Sequence, residues 1–154
     1  MAKQQFWRKT EQQFYSICKD LGETLPLICH RFYDSRSAGS YLPNQPGDFL
    51  LVINGQAVLV EIKTSEKHSS LSSCFSSHIS KTQLAHHRLW MRAGAQCWFL
   101  FGYFNVEPFY ELWGSDVCVE IGSRERARLP VTRRTDSSYD LGSMIRTIYK
   151  RTTE

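Results

Sequence analysis

"PGDFLLVINGQAVLVEIKTS", residues 46–65, decides the fold. Two apolar runs flank Asn54-Gly55. That dipeptide is the strongest short signal for a β-hairpin, because a type I′ turn needs positive φ at both central residues. A two-residue loop there sets Ile53 against Gln56. Stepping back along both strands, Leu51 faces Val58, Phe49 faces Val60 and Asp48 faces Glu61. A four-residue loop keeps that register, whereas a three-residue loop would move Asp48 opposite Ile62. In the favoured register the two carboxylates share a face, with Cβ atoms about 4.5–5.5 Å apart. Lys63 lies two residues beyond Glu61 and points to the same face.

Like charges directly opposite one another destabilise a sheet. A divalent cation would offset the repulsion. Mg²⁺, with Mn²⁺ as a substitute, prefers oxygen ligands and keeps several waters, which leaves room for a phosphate and an attacking water. Lys63 would then orient or deprotonate that water, or stabilise charge on the phosphate. The structural alternative is a pair of strand-end charges at a solvated edge.

Outward from the hairpin, residues 3–21 have roughly helical spacing at Phe6, Phe14, Ile17 and Leu21, with Gly22 as a stop. Glu11 is read onto a different face from Phe6 and Phe14. Residues 25–33 suit a strand, and DSRSAGSYLPNQPG a loop. Residues 65–80 are polar and serine-rich, which predicts a surface loop. Residues 80–93 predict a helix closed by Gly94. QCWFLFGYF, residues 96–104, predicts a buried strand reached by a crossover from the second hairpin strand. Residues 106–154 form a C-terminal extension. In it, EPFYELW and DVCVEIG predict short strands, RERARLPVTRRT a basic loop, and residues 138–150 a last helix. No internal repeat or second domain is visible, so residues 1–154 read as one domain.

Composition agrees with a globular protein: 154 residues, 42% hydrophobic and 22% charged. No apolar run approaches the ~18 residues of a membrane span. The N-terminal MAKQQFWRKTEQQF has no signal-peptide stretch. Five cysteines without regular spacing argue against a disulfide framework. Together these predict a cytoplasmic, reducing location. A net charge of +4 and a pI near 8.9 permit a phosphate-rich partner.

These residues resemble a known group. PGD followed by EIK is similar to the PD-(D/E)xK nuclease signature. "SRSAGSYLPNQPGDFLL" resembles the stretch before the metal-binding acid in Holliday-junction resolvases of the archaeal type. "KTQLAHHRLWMRAGAQCWFLFGYF" resembles the segment after the ExK strand in those enzymes and in the RecU-type resolvases. The resemblance spans residues ~5–105 in order. It implies a restriction-endonuclease-like α/β fold, with an αβββαβ mixed sheet flanked by helices. It implies a homodimeric, metal-dependent endonuclease acting on branched DNA. It carries a catalytic serine onto Ser37 or Ser40, a helix-opening glutamine onto Gln83, and the N-terminal metal-site acid onto Glu11. Asp48 and Glu61, with the Ile62 carbonyl, would hold the cation, and Glu11 would complete its shell directly or through water.

Further residues suit DNA contact. Arg36 could take a phosphate bidentately. Lys81 lies on the second helix. Arg124, Arg126, Arg128, Arg133 and Arg134 make a basic cluster that would position phosphates without reading sequence. Cys74 and His78 have helical ligand spacing, but no C-x₂-C pair supports zinc. No G-x-S-x-G, P-loop or G-x-G-x-x-G occurs, so acyl transfer and a nucleotide cofactor lack support. The rival functions are a duplex-cutting repair or restriction nuclease of the same fold, a non-catalytic DNA- or RNA-binding module, and a protein-interaction domain.

Overall fold

Phe6, Thr10, Phe14 and Cys18 recur every fourth residue and are all buried. That spacing builds one apolar stripe along helix α1, Lys3–Gly22. The computed structural model describes residues 3–32, 45–66, 79–105, 107–115 and 136–154. After α1 come strands β1 (Leu27–Arg31), β2 (Phe49–Ile53) and β3 (Gln56–Ser65), helix α2 (Lys81–Arg92) and strand β4 (Gln96–Tyr103). This is the expected αβββαβ order. Strands β5 (Phe109–Gly114) and β6 (Asp136–Ser138) and helix α3 (Leu141–Thr153) follow.

The strands form one six-stranded sheet in sequential order. The β3–β4 pair is parallel, and every other neighbour pair is antiparallel. A parallel pair requires a crossover, and α2 supplies it. Alternation along the strands divides the core into two layers. On one face Phe49, Leu51, Ile53, Val58, Val60 and Ile62 pack against Phe14 and Cys18 of α1 and Ile145 and Ile148 of α3. On the other face Phe99, Phe101 and Tyr103 pack with Ile79 and with Leu84 of α2. Glu61 and Lys63 are register partners of Phe99 and Phe101, so they emerge on the α2 face.

The turn has the predicted chemistry: φ is 51° at Asn54 and 80° at Gly55, the left-handed pair that a type I′ turn demands. The register also follows, with Ile53 opposite Gln56, Leu51 opposite Val58 and Phe49 opposite Val60. The ladder then changes. The Asp48 N–H donates to Val60 O at 3.1 Å, although Val60 already pairs with Phe49. Two residues therefore oppose one, as in a β-bulge, which re-aims the side chain at that point. The sequence reading had Asp48 directly opposite Glu61. Instead, regular pairing stops one residue earlier and Asp48 turns toward the next backbone amide of β3.

Gly47 makes this approach possible. A Cβ there would lie 3.0 Å from Leu59 Cδ1 and 3.3 Å from Val60 O. Gly47→Ala is expected to cost about 1–3 kcal/mol through overpacking, because Leu59 is fully buried. Urea unfolding measures that loss.

The sequence reading extended β1 at both ends, to 25–33. Pairing with β2 restricts it to Leu27–Arg31. The last helix begins at Leu141, later than the expected 138, because Asp140 caps it by accepting from the Gly142 N–H. Ser138, expected to begin that helix, instead closes strand β6, which pairs with β5. The serine-rich segment from 67 to 78, DVCVEIG and RERARLPVTRRT lie outside the described residues, as does most of the loop before Gln45. No described helix is long and apolar enough to cross a membrane.

Candidate active site

The β2 start, the β3 end and the first turn of α2 bring Asp48, Glu61, Lys63 and Gln83 together. Hydrogen bonds from both its backbone and its side chain fix Asp48. Its N–H donates to Val60 O at 3.1 Å, and its carbonyl accepts from the Phe32 N–H at 2.9 Å. Its carboxylate Oδ2 accepts from the Ile62 N–H at 2.7 Å. The side chain thus takes the place of a ladder carbonyl, and β3 holds the carboxylate rigidly beside Glu61.

Glu61 is almost fully covered, with 7% of its surface exposed. One oxygen, Oε1, accepts from Gln83 Nε2 at 2.9 Å and lies 3.5 Å from Lys63 Nζ. Burial first, and the Asp48 charge second, push the Glu61 carboxyl up to about 8. The Lys63 charge and hydrogen bond pull it partly back, while Glu11 adds a smaller upward push. The dominant cause is desolvation, aggravated by a like charge. Chemically, this is a water-poor cluster of two acids and one ammonium, in which Glu61 gives up its proton reluctantly.

Glu11 requires a correction. The sequence reading set it on a different face from Phe6 and Phe14, yet it is 3% exposed and belongs to the buried side of α1. Residues three apart are neighbours on a helix, so Glu11 lies beside Phe14. An inward-pointing arginine holds it there: Arg31 Nη2 is 3.9 Å from Glu11 Oε1. From α1, Glu11 is near enough to the cluster for its charge to raise Glu61. Among the described residues, no three His, Cys, Asp or Glu side chains converge into a metal-ligand group.

Two residues of this region escaped the sequence reading. Arg31 shares strand parity with Leu27 and Cys29, and a cation on that inward row needs a buried acid. Ser80 stands three residues before Gln83, which is the signature of a capping box. Lys81 is exposed at the start of α2. His86 and His87 are adjacent on α2, and His86 is only partly buried. His87 is fully buried and stacks on Phe99 at 4.4 Å. Its Nδ1 lies 2.6 Å from Ser115 Oγ. Burial, helped by the charges of His86 and Lys63, lowers it to about 4, so it stays neutral at pH 7 and serves packing. Arg36, Ser37, Ser40, Cys74, His78, Arg124, Arg126, Arg128, Arg133 and Arg134 lie outside the described residues.

No family model matches the chain, and no curated protein matches it. Among solved structures, the chain is similar to Hjc, a Holliday junction resolvase from the archaeal hyperthermophile Archaeoglobus fulgidus. The TM-score is 0.46 at 11% identity, over 88% of this chain and 93% of that one.

Proposed function

We propose that this chain is a metal-dependent endonuclease that hydrolyses DNA phosphodiesters, with branched DNA such as a Holliday junction as its substrate. One observation carries the reading. The Asp48 and Glu61 carboxyl groups lie beside the Lys63 ammonium, in surroundings buried enough to raise Glu61 to about 8. A structural ion pair needs one acid and one base. The Ile62 N–H needs only an acceptor, which a neutral carbonyl would supply, so the charge of a second acid beside a buried first is left for a cation to balance. The branched substrate and the homodimer rest on the resemblance of the PGD, EIK and flanking segments to junction resolvases.

The donor set fits Mg²⁺ or Mn²⁺. Two carboxylates, with the rest of the shell left to water and substrate phosphate, is the usual provision for Mg²⁺. Asp48 and Glu61 would hold the ion with the Ile62 carbonyl, and Glu11 would act through a water. When bound, the ion would polarise the scissile phosphate and lower the pKa of its water.

The chain's own groups do the rest. Asp48 is fixed by Ile62, so its carboxylate needs no reorganisation. Gln83 holds Glu61 Oε1 and thereby its rotamer. Lys63, anchored by Glu61, presents positive charge to the phosphate and a donor to the attacking water. Arg36, Lys81 and the arginines from 124 to 134 would bind flanking phosphates, and Ser37 or Ser40 would contact the scissile one.

A cleavage assay in Mg²⁺ on four-way junction, plain duplex and single-stranded DNA tests the proposal. Paired, symmetric nicks in the junction are expected. Equal cutting of plain duplex would replace resolution by a duplex-cutting role. Binding without cutting in either Mg²⁺ or Mn²⁺ would overturn the enzymatic reading.

A further inference from the structure

Gln83 makes two sets of hydrogen bonds at once. Its side-chain Oε1 accepts from the Ser80 N–H at 3.1 Å. Its own N–H donates to Ser80 Oγ at 3.1 Å. Together these are the reciprocal bonds of a capping box at the start of α2. The same side chain then donates from Nε2 to Glu61 Oε1 at 2.9 Å. The amide orientation is dictated by both ends. Only an oxygen can face the Ser80 N–H, and only an NH₂ can face a carboxylate.

We infer that this capping box is the orienting device of the site, with Ser80 as the positioning residue that sets Gln83 and, through it, Glu61. The inference rests on the reading of Glu61 as a metal-site carboxylate. The Ser80 hydroxyl holds its own backbone at φ −81° and ψ 159°, which aims the Ser80 N–H at Gln83 Oε1. With that oxygen held, the NH₂ end has one direction left, onto Glu61. A carboxylate so held already has the rotamer it needs when a cation arrives, and binding does not have to supply that ordering. An ordinary helix cap contributes to stability and has no such link to a buried acid. Here one amide joins the two.

Ser80→Ala is the test, with Ser80→Thr as the variant that keeps the hydroxyl. In apo protein, the Gln83 side-chain NH₂ resonances are expected to move from a shifted, slowly exchanging position to that of a free amide in Ser80→Ala, and to stay in place in Ser80→Thr. Calorimetry should show Mn²⁺ affinity about tenfold weaker in Ser80→Ala, equivalent to ~1.4 kcal/mol. The cleavage rate at saturating Mn²⁺ should remain within about twofold of wild type, a split between binding and turnover. Combining Ser80→Ala with Gln83→Ala should weaken Mn²⁺ no further than Gln83→Ala alone, because Ser80 acts through Gln83. Unchanged Gln83 resonances, an unchanged Mn²⁺ affinity, or additive losses in the double variant would each overturn the inference. If wild-type protein neither binds Mn²⁺ nor cuts DNA, the metal reading falls, and the amide resonances alone still decide whether Ser80 orients Gln83.

Discussion

Asp48→Asn should lose at least ~10²–10³-fold in the single-turnover rate of junction cleavage at saturating Mg²⁺, the scale seen when one preorganised charge-stabilising group is removed. The loss should come with an intact fold. Asp48 spends one carboxylate oxygen on the Ile62 N–H at 2.7 Å, and the asparagine carbonyl can still accept that bond, without the assistance of charge. What disappears is the negative charge, which is also one of the causes raising Glu61. The variant should therefore be as stable as wild type, or slightly more so, at neutral pH. Junction binding should survive, since the proposed phosphate contacts come from basic residues elsewhere. Asp48→Ala separates the two roles. It removes the charge and also strands the Ile62 N–H, which adds a stability cost of about 1–3 kcal/mol. If Asp48→Asn cuts at the wild-type rate, the proposed site is in the wrong place.

The parts of this site that were legible in the sequence are those set by local chemistry. Asn54-Gly55 dictates its own turn, and the register from Ile53–Gln56 back to Phe49–Val60 follows from counting. Strand parity alone puts Glu61 and Lys63 on one face, and the structure joins them at 3.5 Å. The order of the first six elements could be read because each segment carries its own periodicity and punctuation.

What could not be read depends on partners distant in the chain. The bulge at Asp48 arises because Phe32, Val60 and Ile62 all claim hydrogen bonds from one residue, and no sequence window contains all of them. The turn of Glu11 toward Arg31 is a contact between a helix and an edge strand. Apolar spacing on α1 gives no hint of it, since a buried glutamate interrupts the very pattern used to find the buried face. Strand β6, Asp136–Ser138, is made of DSS. It has no strand propensity of its own and pairs because β5 offers an edge. Beyond Phe104 the sequence reading gave only weak elements. There Tyr110, Leu112, Ile145 and Ile148 join the same core as the hairpin. Their burial is settled by packing against distant partners, and local sequence leaves it open.

Glu61→Gln should abolish cleavage and, in metal-free buffer, make the protein more stable at pH 8. The sign follows from proton linkage. The Glu61 carboxyl is raised from an ordinary 4.5 to about 8 in the folded state, so the fold binds that proton more tightly than the unfolded chain does. The resulting stability is fully present below about 4.5 and is lost as pH rises through about 8. Burial and the Asp48 charge oppose ionisation, and Lys63 offsets only part of that. Glutamine carries no charge to desolvate, keeps an oxygen for the Gln83 donor, and removes the pH-dependent loss. Urea unfolding from pH 5 to pH 8 without divalent ions should show wild type losing on the order of a few kcal/mol relative to Glu61→Gln. Added Mg²⁺ should reverse the trend for wild type alone: at a hundred times its dissociation constant an ion that binds only the fold adds about 2.7 kcal/mol. The variant, lacking one of two carboxylates, should gain little. Stability that declines with pH in apo wild type, returns with Mg²⁺, and does neither in Glu61→Gln would identify Glu61 as a carboxylate held at a cost to the fold for the sake of a cation. An equal response of the two proteins to Mg²⁺ would show that Glu61 is an ordinary buried acid and remove the metal site from the reading.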